Sequence, residues 1–169
     1  TNRMIAAPYP KWLISQWNVD QAAALIVTTV GVATRLGLDE TRWVFPLAMA
    51  ESNAVIPMPE RAELHRWPSS QLVARGALDA AGVGLDEIGP IDLYSCFPAA
   101  VEVQAREIGV PIERDLTLTG GMTFGGGPFN NYSLQGAAAM VRTLRDDTEA
   151  RIGLTSAVSG LLTKPAVTI

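Results

Sequence analysis

Residues 119–132 read TGGMTFGGGPFNNY, five glycines and one proline ahead of a stretch with helical periodicity. A glycine-rich loop entering a helix invites a nucleotide reading, and the residue chemistry rejects it. A phosphate loop needs a lysine and a Ser or Thr after its glycines, to meet phosphate and magnesium. Pro128, Phe129, Asn130 and Asn131 stand there instead. The dinucleotide fingerprint G-x-G-x-x-G is not matched by G-G-G-P-F-N either. What remains is a helix start, with Asn130 or Asn131 as the expected cap and free backbone N–H groups beyond it. Such an end suits an anion or a developing oxyanion. The plain alternative is that the glycines only let a strand and a helix pack closely.

Outward from this loop, the chain alternates elements. Residues 116–119 (LTLT) read as a strand running into it, and Leu134, Ala137, Ala138, Val141 and Leu144 recur at helical spacing beyond it. Upstream, 91–95 (IDLYS) reads as a short strand and 98–109 as a helix opened by Pro98 and closed by Gly109. Residues 68–82 read as another helix, between Pro68 and Gly82, after a proline-rich loop over 53–67. Residues 42–52 read as a strand that Pro46 confines to an edge or a bulge. The apolar run AAALIVTTV, residues 22–30, reads as a buried strand, followed by a helical turn or two ending at Gly37. Residues 1–19 read as an irregular arm carrying Trp12 and Trp17, and IGLTSAVS and KPAVTI as two closing strands. Strand and helix in alternation argue an α/β layered sheet with helices on both faces.

Composition narrows the function classes. A chain of 169 residues, 48% hydrophobic and 18% charged, has the profile of a single globular domain. Its net charge of −4, with no basic cluster, argues against nucleic-acid binding. No stretch is apolar for the ~18 residues of a membrane span, and no secretory signal opens the sequence. One cysteine and one histidine exclude a disulfide framework and a Cys/His zinc site, so no metal is expected. The single thiol points to a reducing, cytoplasmic setting. The chain begins at Thr1 rather than methionine, as expected of a piece of something longer.

Four motifs in order carry a resemblance. VDQAAAL (19–25), YSCF (94–97), GGMTFGGGP (120–128) and TSAVSG (155–160) stand on successive elements. They resemble, in turn, the D-G-A-A-A element, the N-E-A-F or H-D-C-F motif, the G-G-x-x-x-x-G-H-P loop and the C-x-G-G-G turn of the thiolase superfamily. The resemblance is to its thiolase-like, sterol-carrier-protein-type branch of acetyl-CoA acetyltransferases. It covers residues 19–169 and implies the C-terminal portion of such a protein.

The fold so implied is a three-layer α/β/α half with a mixed, roughly five-stranded sheet. Residues 1–40 would supply an arm plus the last strand and helix of the N-terminal half, and 41–169 the C-terminal domain. The ligand implied is CoA or an acyl-CoA as substrate, with no other cofactor and a place in lipid metabolism. The partners implied are an upstream half, in the same or another chain, and a further copy in an oligomer. The family's nucleophilic cysteine would lie in that upstream half.

The departures shape the function expected. The histidine of G-H-P falls on Gly127, the acid/base cysteine on Ala157, and the Asn or His of the second motif on Tyr94. A glycine cannot activate a nucleophile or bind a thioester oxygen through a side chain, and an alanine cannot exchange a proton. The reading is therefore acyl-CoA binding with altered or lost thiolase chemistry, a degenerate acyltransferase site. One alternative is a retro-aldolase on a hydroxyacyl-CoA, with Tyr94 or Tyr132 as acid/base. Another is a non-catalytic subunit that stabilises a partner acyltransferase. Tyr94, Tyr132 and Cys96 are the candidate catalytic residues, Cys96 being the only thiol. Gly126, Gly127, Asn130, Asn131 and Ser156 are the candidate substrate contacts. His65, Glu102 and Glu107 are expected to be solvated surface groups.

Overall fold

A computed structural model describes residues 1–147, 149 and 151–169. Helix α2 (Pro68–Ala81) starts on a proline whose missing N–H costs nothing in a first turn. It stops at Gly82, which turns left-handed at φ 69°. Helix α3 (Pro98–Ile108) repeats the device, with Gly109 at φ 92°. Both helices run where their punctuation predicts.

The main sheet has four strands in the order β3 (Met49–Glu51), β6 (Ala166–Thr168), β5 (Leu154–Ala157) and β4 (Ile91–Asp92). Strand β6 pairs antiparallel with β3 and β5, while β4 pairs parallel with β5, Ile91 opposite Leu154. The sheet is therefore mixed. Ile91, Leu154 and Val167 pack with Val73, Ala74 and Ala77 of α2 and Ala105 and Ile108 of α3 in one buried cluster. Each large aliphatic side chain buried there is worth about 1.5–3 kcal/mol. Asp92 points to the opposite face, where α5 (Asn131–Asp146) lies so close that a β-carbon on Gly136 would meet Asp92 Oδ2 at 2.6 Å. Helices thus cover both faces, and the three-layer α/β/α architecture stands.

Where a fifth strand was expected, residues 116–119 form none: Leu116 lies beside β4 through the Leu93 N–H bond to its carbonyl, and the chain bends at Leu118 and Thr119. Their own N–H groups are diverted. Thr117 N–H goes to Asp115, Leu118 N–H to Asp92 and Thr119 N–H to the Thr117 hydroxyl. Side chains take the donors that a ladder would need. The expected strand over 42–52 shortens to β3 at the sheet edge, with a 3₁₀ turn at Glu40–Arg42 and Pro46 ahead of it.

Residues 22–30 depart furthest from expectation. They form no strand; residues 21–29 have no regular structure and Val30 opens helix α1 (Val30–Arg35). Ile26 is 97% exposed and Val27 85%. A strand needs a ladder neighbour, and none in the described chain runs alongside this segment. The arm is more ordered than expected: β1 (Met4–Ala6) pairs with β2 (Tyr9–Pro10), and a 3₁₀ turn follows at Lys11–Leu13.

Helix α5 forms as predicted but turns a different face inward. Tyr132, Gly136, Ala139 and Met140 are buried, whereas Leu134 is exposed. The stripe read from hydrophobicity gives way to the one that fits against Asp92. Glu107 also departs from expectation. It is buried, and accepts from Arg66 Nε at 2.5 Å, Arg66 Nη2 at 3.2 Å and Trp67 N–H at 3.0 Å. Glu102 and His65 are exposed, as expected. Among the described residues no helix is long and apolar enough to cross a membrane.

Candidate functional site

The glycine stretch folds back under the N-terminal arm. Gly120 and Gly121 both adopt left-handed backbone, φ 83° and 76°, a pair of turns that only glycine makes without strain. One helical turn, α4 (Gly121–Phe124), follows. The arm crosses it through Ser15 N–H to the Cys96 carbonyl, Gln16 N–H to the Met122 carbonyl and Gly127 N–H to the Gln16 carbonyl. Gln21 Nε2 then donates to the carbonyls of Gly125 (2.6 Å) and Gly126 (3.0 Å). Gln21 Oε1 accepts from Asn131 Nδ2 at 2.8 Å. One glutamine thus joins the arm, the loop and the start of α5.

This arrangement locates the expected substrate contacts. Gly126 and Gly127 are buried beneath the arm; β-carbons there would meet Val19 Cγ2 at 2.6 Å and Ser15 Oγ at 2.3 Å. Asn130 holds the cap position of α5 without a side-chain hydrogen bond, so the expected amide cap is not made. Ser156 lies on the other face of the sheet. It donates to Gln104 Oε1 at 2.6 Å and accepts from Tyr94 N–H at 3.0 Å, bracing the end of β4 against α3.

The aromatic candidates do come together. Tyr94 and Tyr132 meet edge to face, ring centroids 5.6 Å apart at 89°. Tyr94 is half-buried, whereas Tyr132 is 0% exposed. Burial, then the neighbouring Cys96 and Tyr132, pushes the Tyr94 phenol above the ordinary tyrosine range. Burial, then the Asp92 charge, does the same to Tyr132. Both phenols are therefore neutral donors at neutral pH. Burial likewise raises the Cys96 thiol, although the N–H groups of Phe97 and Cys96 oppose it. That thiol is protonated at neutral pH and a poor nucleophile.

Behind the tyrosines lies a polar cluster that sequence reasoning missed. Ser95 Oγ donates to the Tyr132 hydroxyl at 3.2 Å and accepts from Met122 N–H at 2.9 Å. Tyr132 Oη lies 2.9 Å from Thr119 Oγ1, which lies 3.3 Å from Thr117 Oγ1. Thr117 Oγ1 donates to Asp92 Oδ1 at 3.1 Å, and Leu118 N–H donates to the same oxygen at 2.9 Å. Asp92 is 2% exposed. Burial raises its carboxyl, and the hydrogen bonds from Leu118 N–H and the Thr117 hydroxyl hold part of that rise back. The available signal was a single acid inside the apolar stretch IDL and the spacing T-x-T just before the glycines.

With the loop, the end of β4 and α5 converging on one site, comparison with solved structures becomes decisive. A monomeric SCP2-thiolase like protein type 1 from Mycobacterium smegmatis matches 99% of this chain, with a TM-score of 0.82 and 34% sequence identity. The chain has a thiolase-like fold. It spans 37% of the length of that protein. No protein-family model and no curated protein matches it. Among the described residues of this thiolase-like chain, no three His, Cys, Asp or Glu side chains cluster as a cation site.

Proposed function

We propose that this chain is the C-terminal portion of a thiolase-like acyl-CoA-binding protein whose thiolase chemistry is altered or lost. The carrying observation is the hydrogen bond from Met122 N–H to Ser95 Oγ. It brings together the two stretches that resemble the thiolase YSCF-type and glycine-loop motifs. The loss of ordinary chemistry rests on Gly127, at the place of the family's histidine, and Ala157, at the place of its C-terminal cysteine. Gly127 is packed beneath the arm rather than facing a vacant place for an imidazole.

An upstream half completes the site, as part of the same protein or as a separate chain. The exposed run 22–30 supports this, because an apolar segment left uncovered and without a ladder is what a second half would cover. A cytoplasmic acetyl-CoA acetyltransferase relative in lipid metabolism, assembled as an oligomer, is the setting this reading implies. Isothermal titration of the complete protein with CoA and acetyl-CoA tests it. Binding in the micromolar to millimolar range is expected, and none at millimolar ligand overturns the proposal.

The Tyr94–Tyr132 pair favours a second reading, retro-aldol cleavage of a hydroxyacyl-CoA. That reaction needs an acid/base but no cysteine nucleophile, and two neutral phenols stand side by side. Tyr94, the more exposed, is the one to meet a thioester oxygen. Tyr132 stands behind it. Replacing Tyr94 by Phe should then abolish cleavage, and an unchanged rate counts against the reading.

A further inference from the structure

We infer that Asp92 is the buried proton acceptor of this site, reached from the substrate side through Ser95 and the hydroxyls of Tyr132, Thr119 and Thr117. The inference rests on the retro-aldol reading and names the base that reading lacks.

The hydrogen-bond directions carry it. Each hydroxyl has one proton to donate. The carboxylate can only accept, so Thr117 gives its one proton to Asp92; the bond between Thr117 and Thr119 then takes its proton from Thr119, that between Thr119 and Tyr132 from Tyr132, and Ser95 donates to Tyr132. Gly121 N–H takes one lone pair of Thr117 Oγ1 at 2.9 Å, and the N–H and hydroxyl of Thr119, both at 3.3 Å, share the other, so its one proton is left for Asp92. Every donor in the row therefore points inward. The inner end, Asp92, is closed off, and the outer end, Ser95, is partly exposed at the turn after β4.

A β-hydroxyl of a substrate at Ser95 would give its proton to Ser95 Oγ. The serine proton then passes to Tyr132, that of Tyr132 to Thr119, that of Thr119 to Thr117, and that of Thr117 to Asp92. The Cα–Cβ bond breaks, its electron pair forms the thioester enolate, and a carbonyl forms at Cβ. The proton returns along the same row to the enolate carbon, so nothing else is consumed. Ser95 touches the substrate; Asp92 acts through it. Around the carboxyl, Thr117, Leu118, Thr119 and Gly136 are uncharged, and Tyr132 from α5 is the titratable group that acts on it. Burial makes Asp92 a stronger base than an exposed carboxylate, which suits this task.

Two measurements on the complete protein test the relay separately from the reaction. Infrared pH titration, with the Asp92 band assigned by its loss in Asp92→Asn, should show that band shifting in Ser95→Ala and Thr117→Val. A band that stays in place in both variants overturns the relay. Cleavage of 3-hydroxy-3-methylbutanoyl-CoA to acetone and acetyl-CoA should fall about 100-fold or more in kcat for Asp92→Asn and Ser95→Ala. KM should stay within about threefold, and the acid limb of the wild-type pH profile should disappear in Asp92→Asn. Cleavage that survives both substitutions overturns the proposal. No cleavage by the wild type, with the infrared coupling present, supports the relay and overturns the retro-aldol reading alone.

Discussion

Gly127 lies so close beneath Ser15 that a β-carbon on it would come within 2.3 Å of Ser15 Oγ and 2.9 Å of Met122 Sδ. The arm, not a ligand, occupies the space beside this residue. Restoring the imidazole of an ordinary thiolase loop with Gly127→His must therefore displace the arm. Overpacking of this kind costs about 1–3 kcal/mol. Gly127→Ala should cost less, because Ser15 and Met122 can both rotate aside. Thermal denaturation should order the three proteins wild type, Ala, His. No thiolysis of acetoacetyl-CoA should appear in the histidine variant, and its appearance would show that the loop retains a working histidine position.

Gly136 stands in a harder version of the same relationship with Asp92. A β-carbon there would meet Asp92 Oδ2 at 2.6 Å, and Asp92 cannot swing away without releasing Thr117 and Leu118. Although alanine is the better helix former by roughly 1 kcal/mol, Gly136→Ala should destabilise by about 1–3 kcal/mol. Urea denaturation decides the sign. A stabilised variant would mean that α5 is not seated on the carboxylate.

What the sequence made legible, and what it hid, follows from where each signal originates. Helices α2 and α3 were readable because Pro68, Gly82, Pro98 and Gly109 act through their own backbone. The run 22–30 was misread because apolar residues record burial without naming what covers them. The inward face of α5 was misjudged because a buried carboxylate accepts a glycine more readily than the leucine four residues from Asn130. Asp92 was read only as part of the short strand over 91–95. Its partners, Thr117 and Leu118, lie 25 and 26 residues away, a contact no local pattern carries.

Glu107 gives a pH dependence of definite sign. The hydrogen bonds from Arg66, and then from Trp67 N–H, hold its carboxyl below the usual carboxylate range against the opposing effect of burial. A depressed folded-state pKa contributes stability above the unfolded-state value and loses it as pH falls through the folded-state value. Glu107→Gln should therefore destabilise at pH 7, by about 1–3 kcal/mol through the weakened bond to Trp67 N–H alone. The difference from wild type should shrink steadily as the pH is lowered toward 3. Asp92 has the opposite sign: its raised carboxyl penalises the folded state as pH rises past the unfolded-state value. A Glu107→Gln difference that grows on acidification would contradict the assignment of the Arg66 pair.

Ile26 and Val27 offer the most direct reading of what lies upstream. Both are almost wholly exposed here, and neither has packing in the described chain to lose. Ile26→Asp and Val27→Asp should leave the stability of this chain within about 0.5 kcal/mol of wild type, as surface changes do. If an upstream half takes residues 22–30 into its own sheet, the same substitutions bury charge there. Each apolar side chain covered is worth about 1.5–3 kcal/mol, and an unpaired buried carboxylate costs more. Association with the separately expressed upstream half, followed by size-exclusion chromatography, should then fall at least tenfold. Unchanged association would mean that this segment faces solvent in the complete protein, and that its apolar character serves some other surface.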